Sequence, residues 1–151
     1  MINYEWRRMP GTRLIRSEDK TTVCVAKKSS GDLMVASAAG EDSVQVMSTA
    51  AGIVLCWHGT KCPVQMESAP YAAASLPERI ARLQVTCRGT ELVIARNKGE
   101  GSILLNGVAC GKTTFRALHS LLSVEGQAEP YLLPITALLW TAEELERCEI
   151  V

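Results

Sequence analysis

A segment of 21 residues occurs twice in the sequence, at an offset of 59 residues. The first copy spans Asp32–Gly52 and the second spans Glu91–Gly111, and seven of their positions are identical without gaps. Other apolar positions are similar in kind, such as Val44 and Ile103. A repeat limits the choice of fold strongly, because both copies are expected to form the same supersecondary unit. The sequence therefore predicts two equivalent units in tandem.

Short apolar runs separated by turn residues make up most of both units. The expected strands are Ile2–Met9, Arg13–Ile15, Thr21–Ala26, Asp32–Ser37, Ser43–Ser48, Ile53–Trp57 and Pro63–Glu67 in the first unit, and Leu83–Cys87, Glu91–Arg96, Ser102–Leu105, Thr113–Leu118 and Tyr131–Pro134 in the second. Runs of this length between turn residues favour antiparallel meanders. The segment Thr113–Ser123 fits a helical pattern equally well, because its apolar residues also recur at helical spacing.

A helix is expected to close each unit. In the first unit Ser75 is a plausible N-cap before Pro77 and Glu78, and an apolar stripe follows at Leu76, Ile80 and Leu83. In the second unit we expect a helix over residues 136–148. Its buried face would consist of Leu138, Leu139, Ala142 and Leu145, with Trp140 at the edge.

These patterns together predict an α+β protein of two tandem repeats, each an antiparallel β-meander closed by a C-terminal α-helix. The boundary falls between residues 1–84 and residues 85–151, and both units would pack as one compact module. Each unit is too small to bury a large core alone, which is the reason to expect a shared one.

Charge is balanced over the whole chain, with 16 Lys plus Arg against 16 Asp plus Glu. This balance excludes a uniformly basic nucleic-acid binder, and 47% hydrophobic residues exclude a disordered chain. The distribution is uneven, because residues 1–28 are basic and the last residues are rich in glutamate. The two regions are expected to attract one another, to steer an acidic partner, or to remain two solvated surfaces.

The six cysteines form no Cys-x-x-Cys pair and have no histidine at zinc-finger spacing. Several lie in apolar runs, such as Cys24 and Cys56. We interpret them as reduced, buried, small hydrophobic residues, with a disulfide framework only in an oxidising compartment. No apolar run approaches the roughly 20 residues that span a bilayer, and Met1–Pro10 lacks the apolar region of a secretory signal. The expected location is intracellular, in the cytoplasm or the nucleus.

The layout resembles that of tandem polo boxes, the targeting modules found in some centriolar and kinetochore kinases. The resemblance rests on the strand at Gly40–Val46, the apolar strand at Ile53–Cys56 and the strand and helix expected over Pro63–Leu83. It implies a non-catalytic module that binds a protein partner, in some cases a phosphorylated one. Polo boxes that bind phosphopeptides present a His and a Lys before the apolar strand, whereas this chain has residues 48–52 (Ser-Thr-Ala-Ala-Gly) there.

Partner contacts are therefore expected elsewhere on the surface. Trp6 is a loose counterpart of a tryptophan near the start of the first polo box, and Arg7 and Arg8 follow it. Arginine suits carboxylate or phosphate groups, because its guanidinium forms two parallel hydrogen bonds. Trp57 and His58 complete the predicted binding residues, since an exposed tryptophan is a frequent hot spot. A homodimer is a further option. No cofactor, metal, nucleic acid or membrane is expected as a partner.

A second interpretation is a cysteine protease. His58 lies in the first unit and Cys110, within Val108–Gly111, in the second, an order similar to that of chymotrypsin-like viral cysteine proteases. A neighbouring imidazole raises the thiolate fraction of a cysteine. The nearest acidic residues for a third position are Glu67 and Glu78. A third interpretation is a small structural subunit of a larger assembly.

The stretch Gly107–Thr114 is similar to a nucleotide-binding P-loop but departs from its pattern. That pattern requires a glycine at position 106, where this chain has Asn106, and no aspartate follows Asp42 to bind magnesium. We therefore interpret the stretch as a hairpin turn next to a strand.

Overall fold

In a computed structural model of the protein, residues 1–8, 11–29, 31–69, 79–97, 99–115 and 119–150 are described. The strands among them are β1 (Ile2–Arg7), β2 (Arg13–Arg16), β3 (Thr22–Ser29), β4 (Asp32–Ser37), β5 (Ser43–Thr49), β6 (Gly52–Trp57), β7 (Thr60–Pro63), β8 (Gln65–Ala69), β9 (Arg79–Cys87), β10 (Thr90–Asn97), β11 (Glu100–Leu105), β12 (Val108–Phe115) and β13 (His119–Val124). A short 3₁₀ helix (Gly126–Tyr131) leads into helix α1 (Leu132–Ile150).

The strands of the described segments belong to one antiparallel sheet of 13 strands. Its order is β7-β6-β5-β4-β3-β2-β1-β13-β12-β11-β10-β9-β8, so that sequence neighbours pair everywhere except at β7 and β8, and β1 joins the two halves by pairing with β13. The two ends of the sheet, β7 and β8, are separated in sequence only by Val64. The sheet therefore curls into a nearly closed barrel, with a seam where β7 and β8 meet.

Tight hairpin turns account for much of this meander. Three of them place two successive residues at positive φ: His58-Gly59, Arg88-Gly89 and Asn106-Gly107. Such turns match the right-handed twist of the strands that they connect. Asn106-Gly107 joins β11 to β12, which confirms the hairpin expected there. Lys112 lies inside β12, whereas the lysine of a P-loop lies between a strand and a helix.

The two copies of the repeat adopt corresponding structures. Residues 32–57 form β4, β5 and β6, and residues 90–115 form β10, β11 and β12. Equivalent apolar positions are buried in both copies, as Val35 and Ile94 show, and also Val44 and Ile103. The repeat therefore predicts two similar three-stranded meanders correctly.

Helix α1 occupies the inside of this sheet. It contacts β4 and β5 on one side and β9 and β10 on another. Every residue from Leu132 to Ala142 is buried, and Ile135 and Leu138 have no exposed surface. A helix that is apolar on all sides is stable only when it is surrounded. Trp140 is only 5% exposed, so its expected position at an edge was wrong.

The predicted architecture of two tandem repeats, each closed by its own helix, is wrong. The described residues form a single barrel-like sheet with one C-terminal helix. The start of the first predicted helix, Ser75–Glu78, lies outside the described residues. Ile80 and Leu83, which we placed on its apolar stripe, are buried residues of strand β9, since this stretch pairs with β8 and β10. The strand expected at Tyr131–Pro134 is the junction of the 3₁₀ helix and α1.

The segment Thr113–Ser123 fitted both a strand and a helix in the sequence. Its described residues, 113–115 and 119–123, belong to strands β12 and β13. Thr113 pairs with Leu122 across these strands. Within the described part of the chain, no helix has the length and hydropathy needed to cross a membrane. The division of the chain at residues 84 and 85 stays a prediction.

Candidate functional site

Three glutamates near the C-terminal end of α1 each meet a basic side chain from a different part of the sheet. Arg8, directly after β1, pairs with Glu143 at 3.0 Å. Lys28 of β3 pairs with Glu144 at 2.7 Å, and Arg96 of β10 pairs with Glu146. We call this end of the barrel, bordered by Arg8, Lys28 and Arg96, the mouth.

These pairs have a clear electrostatic reason. The three glutamate side chains are only 7%, 14% and 15% exposed, and a largely buried carboxylate is costly unless a cation pairs with it. Two of the pairs, Arg8–Glu143 and Lys28–Glu144, join the basic beginning of the chain to its acidic end. The attraction between those two regions is thereby confirmed, and it holds α1 in place at the mouth.

Two of the predicted binding residues, Trp6 and Arg8, contact Glu143 at the mouth. The Trp6 indole N–H donates to Glu143 Oε2 at 3.1 Å, and the Trp6 ring meets the Trp140 ring edge-on at 6.1 Å between centroids. Trp6 is only 3% exposed. Arg8 Nε donates to the same carboxylate oxygen at 3.3 Å. Trp6 and Arg8 thus stabilise the end of the helix, and their part in partner binding stays a prediction.

Arg7 points in the opposite direction from Trp6, as successive residues of a strand do. Its side chain is 43% exposed and pairs with Glu5 at 2.7 Å. Lys20 reaches the same carboxylate at 3.2 Å. Arg7 is therefore accessible on the outer surface, but it does not join Trp6 and Arg8 at the mouth.

An apolar groove of about 290 Å³ opens at the mouth between the sheet and the last turns of α1. Leu33, Val46, Ile53 and Leu145 supply its apolar lining. Lys28 and Glu144, the ion pair described above, line it as well. The groove therefore has an apolar floor and a charged edge.

The remaining predicted residues, Trp57 and His58, lie at the other end of the barrel. Trp57 packs edge-on against Tyr131, the last residue before α1, with 5.9 Å between ring centroids. It is stacked on His58 at 4.5 Å and is 7% exposed. Asp42 accepts hydrogen bonds from both side chains, at 3.2 Å from the Trp57 indole and 3.0 Å from His58 Nε2. The structure brings these two residues together but separates them from Trp6, Arg7 and Arg8.

The electrostatics of Asp42 follow from these contacts. Its partial burial raises the pKa of the carboxyl, but the hydrogen bonds from Trp57 and His58 act in the opposite direction. The net result is a pKa below the usual range for aspartate. Asp42 therefore stays ionised and holds the β6–β7 turn, in which His58 has a φ of 51°.

Cys110 and His58 have separate environments. The Cys110 thiol is 1% exposed and donates to the Ile103 carbonyl oxygen at 3.5 Å. Burial, together with the charge of Glu125, raises the pKa of this thiol. A nucleophilic cysteine needs the reverse, a lowered pKa and access to solvent. The third-position candidate Glu67 is an exposed residue of β8, and Glu78 lies outside the described residues.

The described residues contain no group of three or more His, Cys, Asp or Glu side chains that would hold a metal ion. The sequence analysis did not find the groove at the mouth, because its lining comes from β3, β4, β5, β6 and α1. Two of its lining residues, Lys28 and Glu144, are 116 residues apart in sequence. The one signal for it was the end of the apolar run of α1 at Glu143 and Glu144, which marks where the helix leaves the core. No family model, no curated protein and no solved structure matches this chain.

Proposed function

We propose that this protein is a non-catalytic interaction module, and that the groove at its mouth binds an apolar side chain of a protein partner. The observation behind the proposal is the groove itself, in which Ile53 and Leu145 are only partly buried and line an opening that solvent reaches. Burial of these side chains by a partner is favourable, at about 25 cal/mol per Å² of apolar surface. Apolar residues inside a charged edge are also the usual anatomy of a protein interface.

The size of the groove favours a side chain over a cofactor. Pockets for drug-sized ligands begin at roughly 300 Å³ and enclose most of the ligand. A groove of about 290 Å³ lies at this lower limit and is open to solvent. One or two anchoring side chains of a partner fit such a site, and hot-spot residues in interfaces bind in pockets of this kind.

The groove is also held rigid, which reduces the entropy lost on binding. On the helix side, the Thr141 hydroxyl donates to the Ala137 carbonyl oxygen at 2.7 Å. On the sheet side, Val46 and Ser48 belong to the β5–β6 hairpin, where Ser48 pairs with Ile53. The Lys28–Glu144 pair connects the two sides.

The environments of the protease candidates support a non-catalytic role. His58 pairs with Asp42, and Cys110 donates to a carbonyl oxygen in the sheet interior. A Cys–His mechanism requires the two side chains within hydrogen-bond reach in an accessible cleft. The resemblance to polo boxes predicts the same class of function and stays a prediction, but the groove does not depend on it.

A peptide library displayed on phage tests the proposal, with Ser48→Trp as the blocking variant and Ser43→Trp as its matched control. Both serines are exposed residues of β5, but only Ser48 lines the groove. We expect selection on the wild-type protein to enrich peptides that share an apolar anchor residue. Ser48→Trp should weaken their binding roughly tenfold or more, which is about 1.4 kcal/mol, while Ser43→Trp leaves it unchanged.

Two results would contradict the proposal. One is a selection that enriches no peptide above background, and the other is enriched peptides that bind wild type and Ser48→Trp equally well. Thermal unfolding of both variants is the control for folding, because exposed strand positions tolerate aromatic residues.

A further inference from the structure

Strands β7 and β8 form almost one continuous strand that changes its partner at the seam. Residues 60–63 pair with β6, and residues 65–69 pair with β9. Val64 lies between them, and its N–H donates to the Ile53 carbonyl oxygen at 2.9 Å. Strand β7 also lies against β9, but the described ladders do not include a pairing of these two strands. The barrel is therefore held at this seam by side chains.

Two cysteines face each other across the seam. Gln65 pairs with Gln84 at the start of the β8–β9 ladder. Continuing the same antiparallel register back by three residues places Cys62 of β7 directly opposite Cys87 of β9. Both thiols are free, and each is only 3% exposed, so they share the inner face of the barrel.

This position suits a disulfide. Strand β7 lies against β9, and the Cys62 and Cys87 thiols interact through a hydrogen bond, so their sulfur atoms are close enough for a disulfide to form. Their closeness also affects acidity, because burial first and the Cys62 thiol second raise the pKa of Cys87 to about 12.

We propose that Cys62 and Cys87 are a redox pair, and that a small disulfide such as oxidised glutathione converts them to an intramolecular disulfide that closes the seam. The seam is a suitable place for such a bond, because β7 is a strand of four residues at an end of the sheet. While the seam is closed both thiols are buried and unreactive. End strands open more readily than central ones, and opening of β7 exposes the thiols to the oxidant and to solvent, where they ionise.

The reaction proceeds by two thiol–disulfide exchanges. The Cys62 thiolate attacks one sulfur of oxidised glutathione, and one glutathione thiolate leaves. The Cys87 thiolate then attacks the Cys62 sulfur of the mixed disulfide, and the second glutathione thiolate leaves. The two cysteine protons pass through solvent to the two glutathione thiolates. Two cysteine thiols are thereby oxidised, and one glutathione disulfide is reduced to two glutathione molecules.

The test is incubation of the folded protein with oxidised glutathione, followed by alkylation of free thiols and peptide mass spectrometry without reduction. We expect a peptide pair that joins Cys62 to Cys87. The disulfide closes a loop of about 26 residues, so we expect the melting temperature to rise by roughly 10 °C and dithiothreitol to reverse the rise. Cys62→Ala and Cys87→Ala should each abolish both effects.

The matched control is Cys56→Ser, because Cys56 is a half-buried cysteine on the neighbouring strand β6. This variant should keep both the disulfide and the rise in melting temperature. The proposal is overturned if the folded protein yields only mixed disulfides with glutathione, if it joins another pair of cysteines, or if the same disulfide forms without a change in melting temperature. If Cys62→Ala fails to fold, Cys87→Ala decides between these outcomes.

Discussion

Removal of the Glu143 carboxylate at the mouth should lower the free energy of unfolding of the protein. It accepts the Trp6 indole N–H at 3.1 Å and pairs with Arg8 at 3.0 Å, and its own side chain is 7% exposed. In Glu143→Ala the indole N–H of Trp6, which is 3% exposed, loses its partner at a cost of about 1–3 kcal/mol. The side chain of Arg8 is 29% exposed and can turn to water, so its lost ion pair adds about 0–1 kcal/mol.

The expected destabilisation of Glu143→Ala is therefore about 1–4 kcal/mol, which urea unfolding followed by circular dichroism measures. Glu143→Gln keeps an acceptor for Trp6 and should cost less. Glu5→Ala is the matched control, because Glu5 pairs with the more exposed side chains of Arg7 and Lys20, and it should cost less than about 1 kcal/mol. If Glu143→Ala and Glu5→Ala are equally stable, the assignment of Glu143 as the anchor of the helix end is refuted.

Two further predictions concern packing and pH. Gly111→Ala should destabilise the protein by about 1–3 kcal/mol, because an added Cβ would lie 2.8 Å from a backbone carbonyl oxygen of β13. Gly126→Ala, where the Cβ meets open space, is the control, and equal unfolding free energies for the two variants would contradict the argument. Because Asp42 has a lowered pKa in the folded state, its stabilising hydrogen bonds with Trp57 and His58 are present above the unfolded pKa of about 3.9 and are lost as pH falls through the folded pKa. The unfolding free energy should thus decrease below about pH 5, and Asp42→Asn should flatten this decrease; an unchanged pH profile in that variant would exclude the mechanism.

Most of the strands and turns were predictable because their signals are local. The bounds expected for β4, Asp32–Ser37, agree with the structure, and those of β5 and β6 differ by one residue at one end. Alternating burial along β5, with Val44 and Val46 inside and Gln45 between them less buried, follows from the two-residue period of a strand.

The error in the fold came from the helices. A stripe of Leu76, Ile80 and Leu83 fits a helix, but Leu83, Val85 and Cys87 also alternate as a strand does, and pairing with β8 and β10 decided for the strand. A short apolar run satisfies both periods, so the sequence pattern alone does not distinguish them.

The surroundings of α1 were predicted wrongly for a different reason. We assigned it one buried face, although the run from Leu132 to Ala142 has no charged residue and no polar face. A helix of that composition must be surrounded by apolar groups. Because we expected two small sheets, we provided no structure large enough to surround it. A single curled sheet of all the described strands does so.

The candidate site was also predictable from the sequence only in part. The charge asymmetry between the first residues and the last predicted an attraction, but not that Arg8 and Lys28 would each meet a separate glutamate of α1. The groove at the mouth and the Cys62–Cys87 pair were absent from the sequence analysis. Both depend on residues that come together only after distant strands have paired.

The sequence by itself therefore determined much of the local structure of this protein: most of the strands, the tight turns between them, the similar meanders of the repeat and the helix at its C-terminal end. Each of these depends on residues a few positions apart, through backbone preferences and apolar periodicity. The tertiary structure alone decided that the strands form one sheet, that the helix lies inside it, and that the mouth and the seam exist. Those features depend on which strands lie side by side, and that choice minimises exposed apolar surface over the whole chain.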